Sequence, residues 1–206
     1  MFKHIFFNCQ SLLSNSRMNP NVASFLKVLD SNDNSTGGGT ASAVAGAMAA
    51  ALVAMVARLS IGREGSQAAS FYKTLISEAE RLATELFTGS RKDSEAFAHV
   101  MASFKMPKET EEQQTVRRQA IDEAMLKATR TPLVNAENCR NVLVLKQKLE
   151  GNMNPNTASD LECAGHIAKA GLLGCLANVK INLPSLKNKS QAADIARQVD
   201  ELSVPD

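Results

Sequence analysis

The stretch that decides the fold is Gly37-Gly38-Gly39-Thr40 and the uncharged run Ala41 to Ala57 behind it, which read GGGTASAVAGAMAAALVAMVARLS over residues 37–60. Three glycines let the backbone turn tightly and expose its N–H groups. Thr40 is a good N-cap, and the run rich in Ala, Met, Leu and Val predicts a long helix from there. Val44, Met48, Leu52, Met55 and Leu59 form a stripe of large side chains, while Ser42, Gly46, Ala50 and Ala57 form a second face of small ones. A helix apolar all round is expected to be buried, and its small face lets a neighbouring helix come close. Its N-terminus is also a ready anion site, since unpaired N–H groups and the dipole point the same way. The run is a poor membrane span: it is Ala-dominated, hemmed by Gly and Arg58, and has no companion. No GxxxxGK[ST] or GxGxxG is present and no strand pattern precedes the glycines, so a nucleotide loop is not expected. A plain flexible joint is the remaining reading of the triple glycine.

Outward from this stretch, composition sets the class. A chain of 206 residues with 44% hydrophobic content is long enough for one domain with a real core, placed at residues 18–206. The net charge is only +2 and the basic residues are scattered, so nucleic acid is not an expected partner. Aromatics make up 4% and Trp is absent, which favours helices over sheets. Cys9, Cys139, Cys163, Cys175, His4, His99 and His166 show no metal-ligand spacing, so free thiols are expected and a metal site is not. Residues 1–17, MFKHIFFNCQSLLSNSR, have no acid, two bases and several serines. They read as a targeting segment, a disordered lead-in or a start-site artefact with Met18 as the true beginning. The expected location is cytoplasmic, or a mitochondrial-type organelle if that segment is a transit peptide.

The remaining segments all carry helical spacing. Pro20 to Asp30 predicts a short amphipathic helix with Val22, Phe25, Leu26 and Leu29 on one side. Ile61-Gly62-Arg63-Glu64-Gly65 is a break, and Ser66 to Phe87 is a helix that Gly89 is expected to stop. Ser90 to Asp93 opens the next helix, which carries Phe97, Val100, Met101 and Phe104 and halts before Pro107. A long helix starts after Lys108 to Gln114, is kinked or ended by Pro132, and resumes to Leu149 with Val142 and Leu145 inward. After a turn at 151–155 the chain is helical from Thr157 to Leu183-Pro184, and Gln191 to Leu202 is a weaker helix. No segment shows period-two alternation and no internal repeat is found, so the expected fold is a single all-α bundle.

Two acids stand out. Asp93 precedes Phe97, Val100 and Phe104 by four, seven and eleven positions, so it shares their face. A carboxylate on a buried face is desolvated and its pKa rises toward values useful for proton transfer. Against that, Ser90-x-x-Asp93 also fits a variant capping box, and a first-turn Asp suits the helix dipole. Asp160 repeats the pattern: Thr157-x-x-Asp160 is a possible cap. Yet Asp160, Ala164, Ile167, Gly171, Cys175, Asn178 and Asn182 fall on one stripe, suited either to line a cleft or to pack on a neighbour. His99 and His166 read as structural. Arg117-Arg118, Lys127 and Arg130 read as a solvated face, and spacing does not support a role in holding an acidic tail.

GGGTASAVAGAMAAALVAMVARLS resembles the glycine loop and Ala-rich helix of the formiminotetrahydrofolate cyclodeaminase and methenyltetrahydrofolate cyclohydrolase family. Three more stretches follow in the family's order: Asp93-Ser94-Glu95-Ala96-Phe97 with Met106-Pro107, Arg118-Gln119-Ala120-Ile121 with Pro132-Leu133, and Ser159-Asp160 with Asn178-Val179-Lys180-Ile181-Asn182. Together they span about residues 20 to 190. The resemblance implies an all-helical fold, a homodimer or higher assembly, and a tetrahydrofolate derivative as substrate with no tightly bound cofactor. It implies Asp93 as the catalytic general acid/base, through the D-x-E-A-F pattern. Gly37, Gly38, Gly39, Thr40, Ser159, Asp160 and Asn182 are implied as substrate-binding residues. Two positions depart from the family: Thr36 stands where Pro usually precedes the glycines, and Thr40 stands where Ser is typical. Cyclodeaminase and cyclohydrolase make similar demands on one acid and stay undivided here, with a separate formiminotransferase as an expected partner in the first case. The alternative is a non-catalytic folate-binding or helical dimeric interaction protein; no membrane partner is expected.

Overall fold

The small residues of the glycine-led helix, not its large ones, are what the core is built on. In the computed structural model, which describes residues 36–203, this helix is α1 (Gly38–Ser60). Ala43, Ala49, Ala50, Val53, Val56 and Ala57 have no exposure at all. Met48 and Leu59, from the large stripe, are 56% and 51% exposed. The expectation of burial all round is therefore corrected. Small side chains let two helices approach α1 from one side, and the bulky stripe is left toward the outside. By length and composition α1 alone among the described residues is able to cross a membrane, yet its small face is buried against other helices.

Those helices are α2 (Ala69–Phe104), α3 (Glu111–Leu149) and α4 (Ala158–Asn182), with a short α5 (Lys189–Leu202) laid on α3. Pro155–Thr157 and Leu183–Ser185 form single 3₁₀ turns. No strand occurs among the described residues, as the absence of period-two patterning implies. The expected helix over 20–30 and the segment 1–17 lie outside the described residues. Short connections make successive helices antiparallel. α1 packs chiefly on α2 and α4, and α3 closes the ring between those two.

Three glycines explain how closely the helices sit. A Cβ at Gly171 of α4 would lie 2.9 Å from the Ser42 carbonyl oxygen and 3.1 Å from the Gly46 nitrogen of α1. Gly46 in turn leaves room for the Cys139 thiol of α3. Gly89 does not stop its helix, contrary to the sequence expectation: α2 runs through it unbroken, because the missing side chain is filled by the Asn135 amide of α3. Pro132 likewise sits inside a continuous α3. That helix starts with a capping box the sequence carries plainly, Thr110 accepting from the Gln113 N–H and Gln113 reaching back to the Thr110 N–H.

The two ends of α1 differ. At its C-terminus, Asn154 donates from its amide nitrogen to the Leu59 carbonyl (3.2 Å) and from its backbone to the Ser60 hydroxyl (2.8 Å). Beside it the Tyr72 hydroxyl donates to the Asn152 carbonyl at 2.6 Å. Orphan carbonyls are thus satisfied and this end is closed. The N-terminal end carries no side-chain cap and meets α2 and α4 differently.

Candidate active site

The first turn of α1 has backbone N–H groups with no partner inside the helix, and its dipole is positive there. Gly37 takes the cap position with extended backbone, so Thr40 lies inside the helix and does not cap it as the sequence suggested. Its hydroxyl instead donates to Asp93 Oδ2 across the α1–α2 interface at 2.9 Å and lies 3.1 Å from the Ser94 hydroxyl. The conservative Thr at this position keeps that donor.

Gly39 is what brings the acid so near. A Cβ there would lie 2.8 and 2.9 Å from the two Asp93 carboxylate oxygens, and closer still to the Asn178 side-chain nitrogen of α4. Glycine is thus needed for space rather than for conformation, since only Gly62, Gly65 and Gly151 have positive φ among the described residues. Gly37 and Gly38 are exposed, and a Cβ on either would meet nothing within 4 Å. Asn178 accepts at Oδ1 from Asn182 Nδ2 (3.2 Å), and that nitrogen also donates to the Ala128 carbonyl of α3 at 3.0 Å. Gly39 therefore lies between Asp93 of α2 and Asn178 of α4, and Asn178 is linked onward to Asn182.

Asp93 is half-buried mid-helix, which removes the capping-box reading. Burial pushes its carboxyl above the ordinary range, and the Thr40 hydroxyl and backbone N–H pull it back down. Burial is the larger effect, so the net direction is upward, the direction that suits a carboxyl used to carry protons. Its shelter does not come from the apolar face the sequence suggested: Phe97 and Phe104 are 42% and 50% exposed. It comes from the start of α1 and the end of α4. Nearby, the hydrogen-bonded Cys139 thiol, burial and the Asp93 charge together push the Cys175 thiol far up, so it stays protonated and offers no nucleophile.

The structure places Ser159, exposed, and Asp160, half-buried, in the first turn of α4 at the closed end. Asn178 lies 18 residues further on, about 27 Å along the helix at 1.5 Å per residue. Within one chain these two are not brought to Asp93. The Thr157 hydroxyl donates to the Asn154 carbonyl at 2.8 Å and makes no capping bond to α4. Asn178 and Ser94 lie with Asp93 at the N-terminal end of α1, although neither is among the substrate-binding residues expected from the sequence. Both carry a signal there: Asn178 sits one turn before Asn182 on the α4 stripe, and Ser94 follows the acid. No group of His, Cys, Asp or Glu suited to a metal ion occurs among the described residues.

Comparison with known proteins gives this geometry a context. A family model described as formiminotransferase-cyclodeaminase matches residues 21–201. The methenyltetrahydrofolate cyclohydrolase of Methylorubrum extorquens is 34% identical over 185 residues, covering 89% of each chain. The formimidoyltransferase-cyclodeaminase of Mus musculus is 30% identical over 178 residues, which is 86% of this chain and 32% of the mouse protein, so the chain spans about a third of that relative. The crystal structure of formiminotetrahydrofolate cyclodeaminase from Thermotoga maritima shares the fold with a TM-score of 0.79 at 24% identity, over 90% of this chain and 88% of that one. By the extent of the family match and by the full-length bacterial relative, the chain belongs to the formiminotransferase-cyclodeaminase family.

Proposed function

We propose that this chain is a folate one-carbon enzyme in which the Asp93 carboxyl moves the protons. As a member of its family it is an enzyme of the cyclohydrolase/cyclodeaminase kind, acting on tetrahydrofolate derivatives. The observation that carries the role of Asp93 is its placement: a half-buried carboxyl with a raised pKa, gripped by Thr40 at the positive end of α1. Our first reading is the methenyltetrahydrofolate cyclohydrolase reaction, supported by the relative that matches along nearly its whole length. The second is cyclodeamination of formiminotetrahydrofolate, favoured by the named activity of the Thermotoga protein that shares the fold.

Both reactions run through one carbon bridging two folate nitrogens. In cyclohydrolysis a water oxygen bonds to the cationic methenyl carbon and ionised Asp93 takes the water's proton. One C–N bond then breaks: the same carboxyl returns its proton to the departing nitrogen, the hydroxyl left on the carbon gives up its own proton to solvent, and a formyl group remains on the other nitrogen. In cyclodeamination the second nitrogen bonds to the formimino carbon and its own proton passes to the former imine nitrogen. A second proton, delivered by the protonated carboxyl, lets that nitrogen leave as ammonia with the electrons of the broken C–N bond, giving the methenyl cation. A carboxylate beside a cationic intermediate in a partly dry site also stabilises it electrostatically. Gly37, Gly38 and Gly39 lie at the start of α1, where the first-turn amides have no partner inside the helix and suit a carbonyl or anionic part of the substrate.

The deciding experiment incubates the pure chain with methenyltetrahydrofolate and with formiminotetrahydrofolate, following absorbance and ammonia release. Turnover of at least one is expected, with Asp93→Asn lowering it by about 10²–10⁴-fold, the range for a general acid/base. Near-normal turnover in that variant removes Asp93 from the mechanism. Folate binding without turnover of either compound favours the non-catalytic reading. We also propose a homodimer, supported by the apolar stripe Phe97, Met101 and Phe104 left outside on α2.

A further inference from the structure

A cavity of about 740 Å³ lies between α2 and α3, walled by Leu126 and Val134 and reaching Gly89 and Asn135. That volume is in the range of small-molecule sites. Its charges are unbalanced in one direction. Lys92, Lys127 and Arg130 line it, and none of them pairs with a carboxylate among the described residues. Of its two acids, Glu85 is already held by Arg81 at 2.5 Å, leaving only Glu123 to face three cations. Asn135 is 1% exposed and its side-chain nitrogen is buried with no hydrogen-bond partner, an unmet donor next to the cavity.

The cavity and the Asp93 site adjoin on both helices. Gly89 stands one turn before Asp93 on α2, about 6 Å along the axis, and Lys92 is its direct neighbour in sequence. On α3, Lys127 precedes Ala128, whose carbonyl receives the Asn182 amide. A ligand with its reacting carbon at Asp93 therefore has this cavity beside it for the rest of its length. Apolar walls, a buried amide donor and unpaired cations suit an aromatic ring, a carbonyl oxygen and carboxylates respectively.

We propose that the α2–α3 cavity seats the p-aminobenzoylglutamate half of the substrate, its carboxylates held by Lys127, Arg130 and Lys92. This rests on the folate reading above and assigns to Lys127 and Arg130 a role that their spacing on the helix did not suggest.

The test compares the wild-type chain with Lys127→Gln/Arg130→Gln, two exposed positions whose change leaves the core intact. Each is assayed with methenyltetrahydrofolate and with the analogue truncated before its glutamate. The expected result is a KM raised about 10-fold or more for the glutamate-bearing compound and unchanged for the truncated one, as loss of charge-assisted bonds implies. Equal KM changes for both compounds, or none for either, overturn the proposal while leaving the enzymatic reading intact. If the wild-type chain turns over neither compound, calorimetric binding of 5-formyltetrahydrofolate decides separately. Binding weakened about 10-fold by the double substitution supports the cavity, by the same loss of charge-assisted bonds; equal binding by both chains, or none by the wild type, overturns it.

Discussion

At the residue scale, Thr40 and Asp93 make one unit. The carboxyl is raised by burial and held down by two donors from Thr40. Removing one donor lets burial dominate further. In Thr40→Val the acid limb of the kcat/KM profile, where ionised Asp93 is needed, moves to higher pH than in the wild type. An unmoved limb, read from the full pH–rate profile, disconnects Thr40 from the titrating group. Asp93 also leaves a mark on stability. Its folded-state pKa is raised above the unfolded one, so its contribution is fully present below the ordinary carboxylate range and is lost as pH rises through the folded value. At neutral pH the ionised form is therefore a burden on the fold. Asp93→Asn should melt higher than wild type near pH 7, with the gap closing toward about pH 4, the ordinary carboxylate range; a lower melting temperature at neutral pH contradicts this.

At the scale of elements, the α1–α4 crossing sets the site. Gly171 faces main-chain atoms of Ser42 and Gly46, which have no flexible end to yield. Gly171→Ala therefore has to separate the helices by some tenths of an ångström. Its expected cost is about 1–3 kcal/mol, in the range for overpacked cores. For a chain of this length that lowers Tm by about 2–4 °C per kcal/mol, checked by calorimetry. Unchanged Tm together with unchanged turnover would mean that the crossing is looser than the glycines imply. Gly89 on α2 shows the same dependence on a neighbouring helix. Glycine commonly ends helices, but here it is retained mid-helix because Asn135 occupies the space of its side chain. Nothing in the local sequence of α2 carries that information.

At the scale of the whole molecule, the far part of α2 leaves an apolar stripe outside. Phe97, Met101 and Phe104 recur at i, i+4 and i+7 and are each at least 42% exposed. Such a stripe on one helix is the sort of surface a second copy covers. Met101→Glu is expected to shift the chain from dimer to monomer in light scattering, and a wild-type monomer at tens of micromolar would put the stripe to another use. Asp93 sits one turn before Phe97 on this helix, so the proposed interface and the site are neighbours.

The residue pattern alone determined the helical class, the position of α1 and the α4 stripe from Ala164 to Asn182, and it offered Asp93 as either a sheltered acid or a helix cap without deciding between them. Helical periodicity and Ala-rich composition are local properties, and they survive into the fold unchanged. Tertiary structure decided the rest. It turned the small face of α1 inward, left Phe97 and Phe104 outside, moved Thr40 from cap to carboxylate partner, and separated Ser159 and Asp160 from Asp93 by the length of α4. Each of these depends on which helix lies opposite, a long-range fact that spacing within one segment does not encode.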